Sequence, residues 1–445
     1  MDMEHVASEF FQAHPQLETL DLSVVDINGS LRGKRLPASA FAAAVRDGIL
    51  LPQSVFASEI RGETVAGTGI GIDSGDQDRL CRLAPDTLRI VPSTNGRRAE
   101  CLMDMEEDDG RPFAQSGRQV LKNVVARFHA RGLRPTVAIE LEFYLIEKEL
   151  DRYGMPRLLD DAGQAGTQGL SLDDLDKAGA FIERVREYAV LQSVPASAAS
   201  AEYAPGQFEI NLRHSRSPVN ACDDAVYLKR IIRRAACSEG MLATFMAKPF
   251  EGSAGSGSHL HVSLLDENGS NCFANGDHEL QYAIAGLQAT MPAAMLLFAP
   301  HANSYRRYRK NSYVPMAPSW GYNNRTVALR IPTGRAEDTR IEHRTPGADC
   351  NPYLAMAAVL AGILHGLTER RPPTAPINGD AAEQVEPGLP TDWLTAIRKF
   401  EASDWGAEYF GPDFCKLLSR IKHAECAEFN RRIPTLDIQW YLHST

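Results

Sequence analysis

The sequence predicts an α+β protein in two parts, a small domain over residues 1–105 and a larger one over residues 106–445. Three observations predict it. At about 150 residues per domain, 445 residues exceed what one core usually holds. The acidic, turn-rich segment ECLMDMEEDDGRPFAQSGR lies between two regions of different texture. Before it, short strand-like pieces alternate with turns; after it, strands carrying polar residues alternate with amphipathic helices.

The elements follow in order. LDLSVVDINGSLRGKRLP sets an Asn-Gly turn between two apolar segments, which is a hairpin signal. The glycine-rich stretch VAGTGIGIDSGDQD at 65–78 lacks the strand–GxGxxG–helix context of a dinucleotide fold, and LRIVPST reads as a further strand. RQVLKNVVARFHARG reads as a helix, as does DDAVYLKRIIRRAACSEG at 223–240. The longest apolar run, YLAMAAVLAGILHGL at 353–367, contains His365 and falls short of the ~20 residues of a membrane span, so a buried helix is expected. Residues 371–395 form a Pro/Gly-rich loop. LLSRIKHAECAEFNRRI closes the chain as a helix, followed by a strand-like DIQWYL.

Composition excludes several classes. A net charge of −10 argues against a nucleic-acid binder. The eight cysteines are scattered without a CxxC pair, as in a reduced cytosolic protein with no thiolate metal site. Residues 1–15 carry acids where a secretory leader carries Lys or Arg. A cytoplasmic protein with no membrane segment is therefore expected.

Four segments carry chemistry. In AIELEFYL (138–145), Glu140 and Glu142 are two apart on an expected strand and so share one face. In EYAPGQFEINLR, Glu202 and Glu209 flank a Pro-Gly turn that can bring them together. In GSAGSGSHLHVSL, His259 and His261 again share a face, and in RIEHRTP so do Arg340, Glu342 and Arg344. Singly, each has a mundane reading: a solvated edge strand, a satisfied histidine, a surface salt-bridge ladder. Together they supply five glutamates and a histidine, the oxygen-rich donor set of magnesium or manganese. Two such ions clamp phosphate oxygens during in-line transfer. Arg307, Arg325, Arg330, Arg340 and Arg344 are fork-shaped donors suited to carboxylates and phosphates.

The order ELEF, E-x6-E around APGQ, GSGxHxH, NSY-R-R, NRT-R-P and RIE-R resembles the glutamine synthetase superfamily over about residues 15–443. The resemblance implies a small N-terminal β-grasp domain, a large catalytic domain with a curved antiparallel sheet, and a dodecamer of two hexameric rings. It implies one metal ion on Glu142, Glu202 and Glu209, and another on Glu140, His259 and Glu342. His261, Ser263, Arg330 and Arg340 match ATP-side residues. Arg307, Arg325 and Arg344 match catalytic positions, with Arg307, Arg344 and Gly255 lining the glutamate site. The partners implied are glutamate, ATP and an amine, joined through an acyl phosphate.

The amine side departs from true glutamine synthetases. Their two ammonium-gathering acids align with Ala57 in FASEIRG and near Met316 in YVPMAPSWG, and Ala254 replaces an expected asparagine. The loss leaves room for an organic substituent on nitrogen. VEPGLP stands where an adenylylated tyrosine loop would be. WGYNNRT and GIGIDSGDQDRLC resemble the γ-glutamylpolyamine (glutamylputrescine) synthetase branch. Polyamines are the expected substrate and a monoamine the next, with Glu59 and Glu63 as acids for a second ammonium. The alternatives are a glutamine synthetase using ammonia and an inactive member serving a structural or regulatory role.

Overall fold

The computed structural model describes residues 3–159, 169–274, 278–310 and 312–444. The expected hairpin starts the first sheet: β1 (Thr19–Val25) pairs antiparallel with β2 (Leu31–Pro37), from Thr19↔Pro37 to Val25↔Leu31. Its turn follows from its residues. Asp26 Oδ1 accepts from the N–H groups of Asn28 (2.9 Å) and Ser30 (2.8 Å), while Gly29 takes φ +79°.

β3 (Ile49–Pro52), β4 (Asp78–Leu83), β5 (Arg89–Ile90) and β6 (Arg98–Met105) complete the sheet in the order β2-β1-β6-β4-β3, with β5 also on β6. The parallel β1–β6 pair makes it a mixed sheet, in keeping with the β-grasp expectation. Its helices α1 (Met3–Ala13) and α2 (Phe41–Asp47) meet through Phe11 and Phe41, ring centroids 4.4 Å apart. The strand expected over LRIVPST is only Arg89–Ile90, because Pro92 has no N–H with which to extend a ladder.

AIELEFYL lies in β7 (Arg134–Glu147), at the centre of an eight-stranded sheet. The others are β8 (Ala196–Ala201), β9 (Gln207–Leu212), β10 (Met241–Thr244), β11 (Ser258–Leu265), β12 (Trp320–Tyr322), β13 (Leu329–Ile331) and β14 (Ile341–His343). Their order is β12-β13-β14-β11-β7-β9-β8, with β10 also on β7, and every pairing but β12–β13 is antiparallel among the described residues.

Helices α3 (Gly117–His129), α4 (Leu172–Lys177), α5 (Gly179–Leu191), α6 (Pro218–Ser238) and α7 (His278–Phe298) follow in the chain. One face of β7 is core. Phe143 packs against Phe181 of α5 at 5.9 Å, Phe208 at 6.3 Å and Phe245 at 5.7 Å between ring centroids. The opposite face carries Glu140 and Glu142.

The long apolar run is α8 (Pro352–Glu369), capped by Asn351 accepting from the Tyr353 and Leu354 N–H groups. Its length and composition would suit a membrane span, but 78% of it is buried in the protein. α7 and α8 approach backbone to backbone: a Cβ on Gly366 would strike the Tyr282 carbonyl, and one on Gly286 the Gly362 carbonyl. The remaining helices are α9 (Trp393–Glu401), α10 (Asp404–Phe410), α11 (Pro412–Arg431) and α12 (Thr435–Tyr441). DIQWYL is thus helix, not strand. Its alternating apolar residues imitate a strand, but among the described residues no strand pairs with them, and a helix satisfies its own backbone groups.

Arg118 ties the two sheets' surroundings together. Its Nε and Nη2 donate to Asp223 of α6 at 2.9 and 2.8 Å, its Nη1 donates to Asp104 of β6, and Tyr353 of α8 donates to Asp223 at 2.5 Å. Arg118→Met should therefore strand a buried Asp223 carboxylate and lower stability by about 3–5 kcal/mol, read by urea unfolding.

Candidate active site

Strand register assembles the acids. Across the sheet, Glu142 on β7 stands opposite Glu209 on β9, and Glu140 opposite His259 on β11. His261, two residues on, stands opposite Glu342 on β14, which faces Arg330 on β13. The two-residue strand period puts this diagonal on one face while Ile139, Leu141, Leu260 and Val262 point into the core. Glu202 follows β8 and returns through the turn at Gly206, which takes φ +72°.

The distances are short. His259 Nδ1 lies 3.1 Å from Glu140 Oε2, and its Nε2 lies 3.6 Å from Glu142 Oε1. Glu209 and Glu342 each come within 3.9 Å of His259 Nδ1. His261 Nε2 lies 2.9 Å from Glu140 Oε1. Arg330 donates to Glu342 at 2.7 Å and Arg344 donates to its other oxygen at 2.5 Å.

Charge balance across the cluster is uneven. Burial alone would raise Glu140 and Glu342, but His259 and His261 hold Glu140 far below the carboxylate range, and Arg344 with the histidines holds Glu342 at about 2. Burial, with Glu142 beside it, pushes Glu202 up to about 7. Burial, then Glu140, Glu142, Glu202 and Glu342, push Glu209 up to about 9. This is a carboxylate cluster short of positive charge. The donor set fits hard divalent cations. The ligand atoms of Glu140, Glu209 and His259 lie within 4.8 Å of one another, as do those of Glu140, His261 and Glu342.

A model of the glutamine synthetase catalytic domain matches residues 114–441. The chain belongs to the glutamine synthetase family. It is 40% identical over 443 residues to the gamma-glutamylputrescine synthetase PuuA of Escherichia coli (strain K12), covering 97% of this chain and 93% of that protein. It is 31% identical over 460 residues to a glutamate–isopropylamine ligase of Pseudomonas sp, covering 98% and 96%. The solved structure "Apo GmaS without ligand" matches with a TM-score of 0.86 at 27% identity, covering 98% of this chain and 99% of that one.

Within this glutamine synthetase site, the other expected residues divide. Arg307 is buried against the cluster, its Nη1 donating to the Thr345 carbonyl at 3.2 Å. Two glycines make its place: a Cβ on Gly255 would collide with the Arg307 stem at 2.5 Å. One on Gly257 would sit 3.1 Å from its Nη2, 3.2 Å from His259 Nε2 and 3.3 Å from Glu142 Oε1. Arg340 Nε donates to His261 Nδ1 at 3.3 Å, and Ser263 shares the histidines' face of β11. Arg325 stands apart, on the wall of a cavity of about 1000 Å³ that Met316 also lines.

Of the residues expected around the amine, Met316 lines this cavity, and Ala57, Glu59 and Glu63 lie on the N-terminal loop. Ala57 is wholly buried in the N-terminal domain. Glu59 is buried too, accepting from the N–H groups of Arg61 (3.0 Å) and Glu63 (3.1 Å) and from Arg61 Nε (3.0 Å), so its carboxylate holds its own loop. Glu63 is exposed and pairs with Arg61 at 3.2 Å. The acids that do line the large cavity are Asp380, Glu383 and Glu386.

Two positioning groups escaped the sequence reading. Gln207 Nε2 donates to Glu142 Oε2 at 3.2 Å and to the Gly255 carbonyl at 3.1 Å, and Gly257 N–H donates to Glu142 Oε2 at 2.7 Å. Gln207 lies two residues before Glu209, so strand period was the available signal.

The charge deficit predicts a pH dependence. Below 4.5 folded and unfolded chains both hold the Glu209 proton; from there up to about 9 only the folded chain does. Glu202 acts in the same sense up to about 7, whereas Glu342 acts oppositely but only between about 2 and 4.5. Thermal unfolding in chelator should therefore show stability falling as pH rises from about 5 to 9. Magnesium or manganese should flatten that slope, and Glu209→Gln should remove most of it while weakening metal binding.

Proposed function

We propose that this chain is an ATP-dependent ligase joining the γ-carboxyl of glutamate to an organic amine, a polyamine before a monoamine, in amine catabolism. The observation that carries it is the convergence of five carboxylates, His259 and three buried or half-buried arginines in a chain 40% identical to a gamma-glutamylputrescine synthetase and 31% identical to a glutamate–isopropylamine ligase. A carboxylate is a poor electrophile because its leaving group would be oxide. Phosphorylation by ATP makes an acyl phosphate, which the amine nitrogen attacks as inorganic phosphate departs.

Each group has a task in that sequence. Glu142, Glu202 and Glu209 would hold one magnesium or manganese ion, and Glu140, His259 and Glu342 the other. When bound, such ions draw charge from the phosphate oxygens. Arg307 and Arg344, held rigidly beside the cluster, fit the glutamate carboxylates, and Gly255 keeps that space open. Arg325, unburied on the cavity wall, fits the transferred phosphoryl group. His261, Ser263, Arg330 and Arg340 form the ATP side. The acids on the 377–387 wall of the cavity support a substrate with a second ammonium.

The expected dodecamer of two hexameric rings is supported by the bare apolar side chains of the last helix and its flanks: Ile433, Leu436, Ile438, Trp440 and Leu442 are all exposed. The cytoplasmic assignment is supported by eight free thiols. A division near residue 105 agrees with the end of β6 at Met105.

Phosphate release with glutamate, ATP and a panel of amines tests the reading. A diamine or monoamine should exceed ammonia in kcat/KM by about tenfold or more; ammonia ranking first would sink it. In the same protein, Glu142→Ala and Glu140→Ala should each lose one bound manganese per subunit in a titration, with kcat reduced by about 10²-fold or more.

A further inference from the structure

Two exposed tyrosine rings stand at the large cavity without a structural task. Tyr203 and Tyr313 both line it, and they meet edge to face with ring centroids 6.3 Å apart at 61°. They are 56% and 62% exposed, so neither is core. Each is anchored at the site described above. Tyr203 directly follows Glu202, on the turn that brings that carboxylate toward Glu142. Tyr313 is six residues beyond Arg307, and Ser312 Oγ beside it donates to the Arg307 carbonyl at 3.3 Å.

The backbone at Tyr313 is the second observation. It takes φ +53°, a region that bulky residues rarely adopt. Such conformations persist where surrounding structure demands them, and they cluster at ligand clamps. Here the left-handed turn brings the ring against Tyr203 rather than into the core.

We infer that Tyr203 and Tyr313 form an aromatic clamp for the incoming amine, with its alkyl stem against the ring faces, and that this clamp selects organic amines over ammonia. The inference rests on the glutamate–amine ligase reading and adds the residues that decide the amine. Aromatic faces attract a cation and cover methylenes at the same time. Ammonia has no methylene to cover, and each methylene placed on an apolar surface distinguishes substrates by about 10- to 200-fold. Met316, which lines the same cavity, adds apolar surface to its wall.

The test is steady-state kinetics of the full-length enzyme with a panel of primary amines and with ammonia, at saturating glutamate and ATP. Tyr313→Gly suits the left-handed backbone, so the loop keeps its course when the ring is removed. Tyr313→Gly and Tyr203→Ala should each lower the ratio of kcat/KM for the best organic amine to that for ammonia by about tenfold or more. The loss should fall on KM for the amine, with KM for glutamate held, and Tyr313→Phe should retain the wild-type ratio. A wild-type enzyme that prefers an organic amine, with the ratio unmoved in both ring-deletion variants, overturns the clamp alone. A wild type that prefers ammonia overturns the ligase reading and the clamp with it.

Discussion

Mutual repulsion among five carboxylates is the constraint on which the rest of this structure depends. Glu140 and Glu142 of β7, Glu209 of β9, Glu342 of β14 and Glu202 just after β8 converge into a space where burial penalises charge. The protein supplies cations to two of them. Glu140 has two imidazoles, and Glu342 has two guanidinium groups. Glu202 and Glu209 receive none of comparable strength, and their proton affinity rises accordingly. A chain that keeps such a deficit has built a receptor for positive charge, which is what phosphoryl transfer at a carboxylate requires.

Holding that arrangement requires a stiff frame. β7 is 14 residues long and hydrogen-bonded to neighbours along both edges, so its two glutamates have no freedom to separate. Beneath them lies a layer of aromatic rings around Phe143. The glycines on the opposite side act by omission: Gly255 and Gly257 leave the volume into which Arg307 fits. Further out, the Arg118–Asp223–Tyr353 network joins β6 to three helices of the larger part. Charge at the centre and close packing around it are two sides of one requirement, since only a rigid lattice resists the repulsion it contains.

The acid-bearing strands were legible because period two is a local property. Glu140 with Glu142, His259 with His261, and Glu342 with its flanking arginines all declare a shared face within five residues. The hairpin at Asn28–Gly29 and the buried helix α8 were legible for similar reasons, a turn dipeptide and an unbroken apolar run. DIQWYL was misread because alternation of apolar residues is equally compatible with a strand and with a helix that leaves one side bare. On the amine side, alignment of a flap supplies only order along the chain, whereas the surroundings of Ala57 and Glu59 are decided by which atoms close their loop.

By itself, the sequence determined the donor set, its division among strands and the family to which that order belongs. These depend on residue type and short spacing, which the chain carries in one dimension. The tertiary structure decided register: which glutamate faces which histidine, which carboxylate is left without a cation, and which tyrosines stand bare beside a cavity. Those outcomes depend on the meeting of segments up to about two hundred residues apart, such as Glu140 with His259 across a strand pair and with Glu342 in the same ligand cluster. No local pattern encodes that distance, so the answer to why two glutamates share a buried strand face became visible only with the sheet assembled.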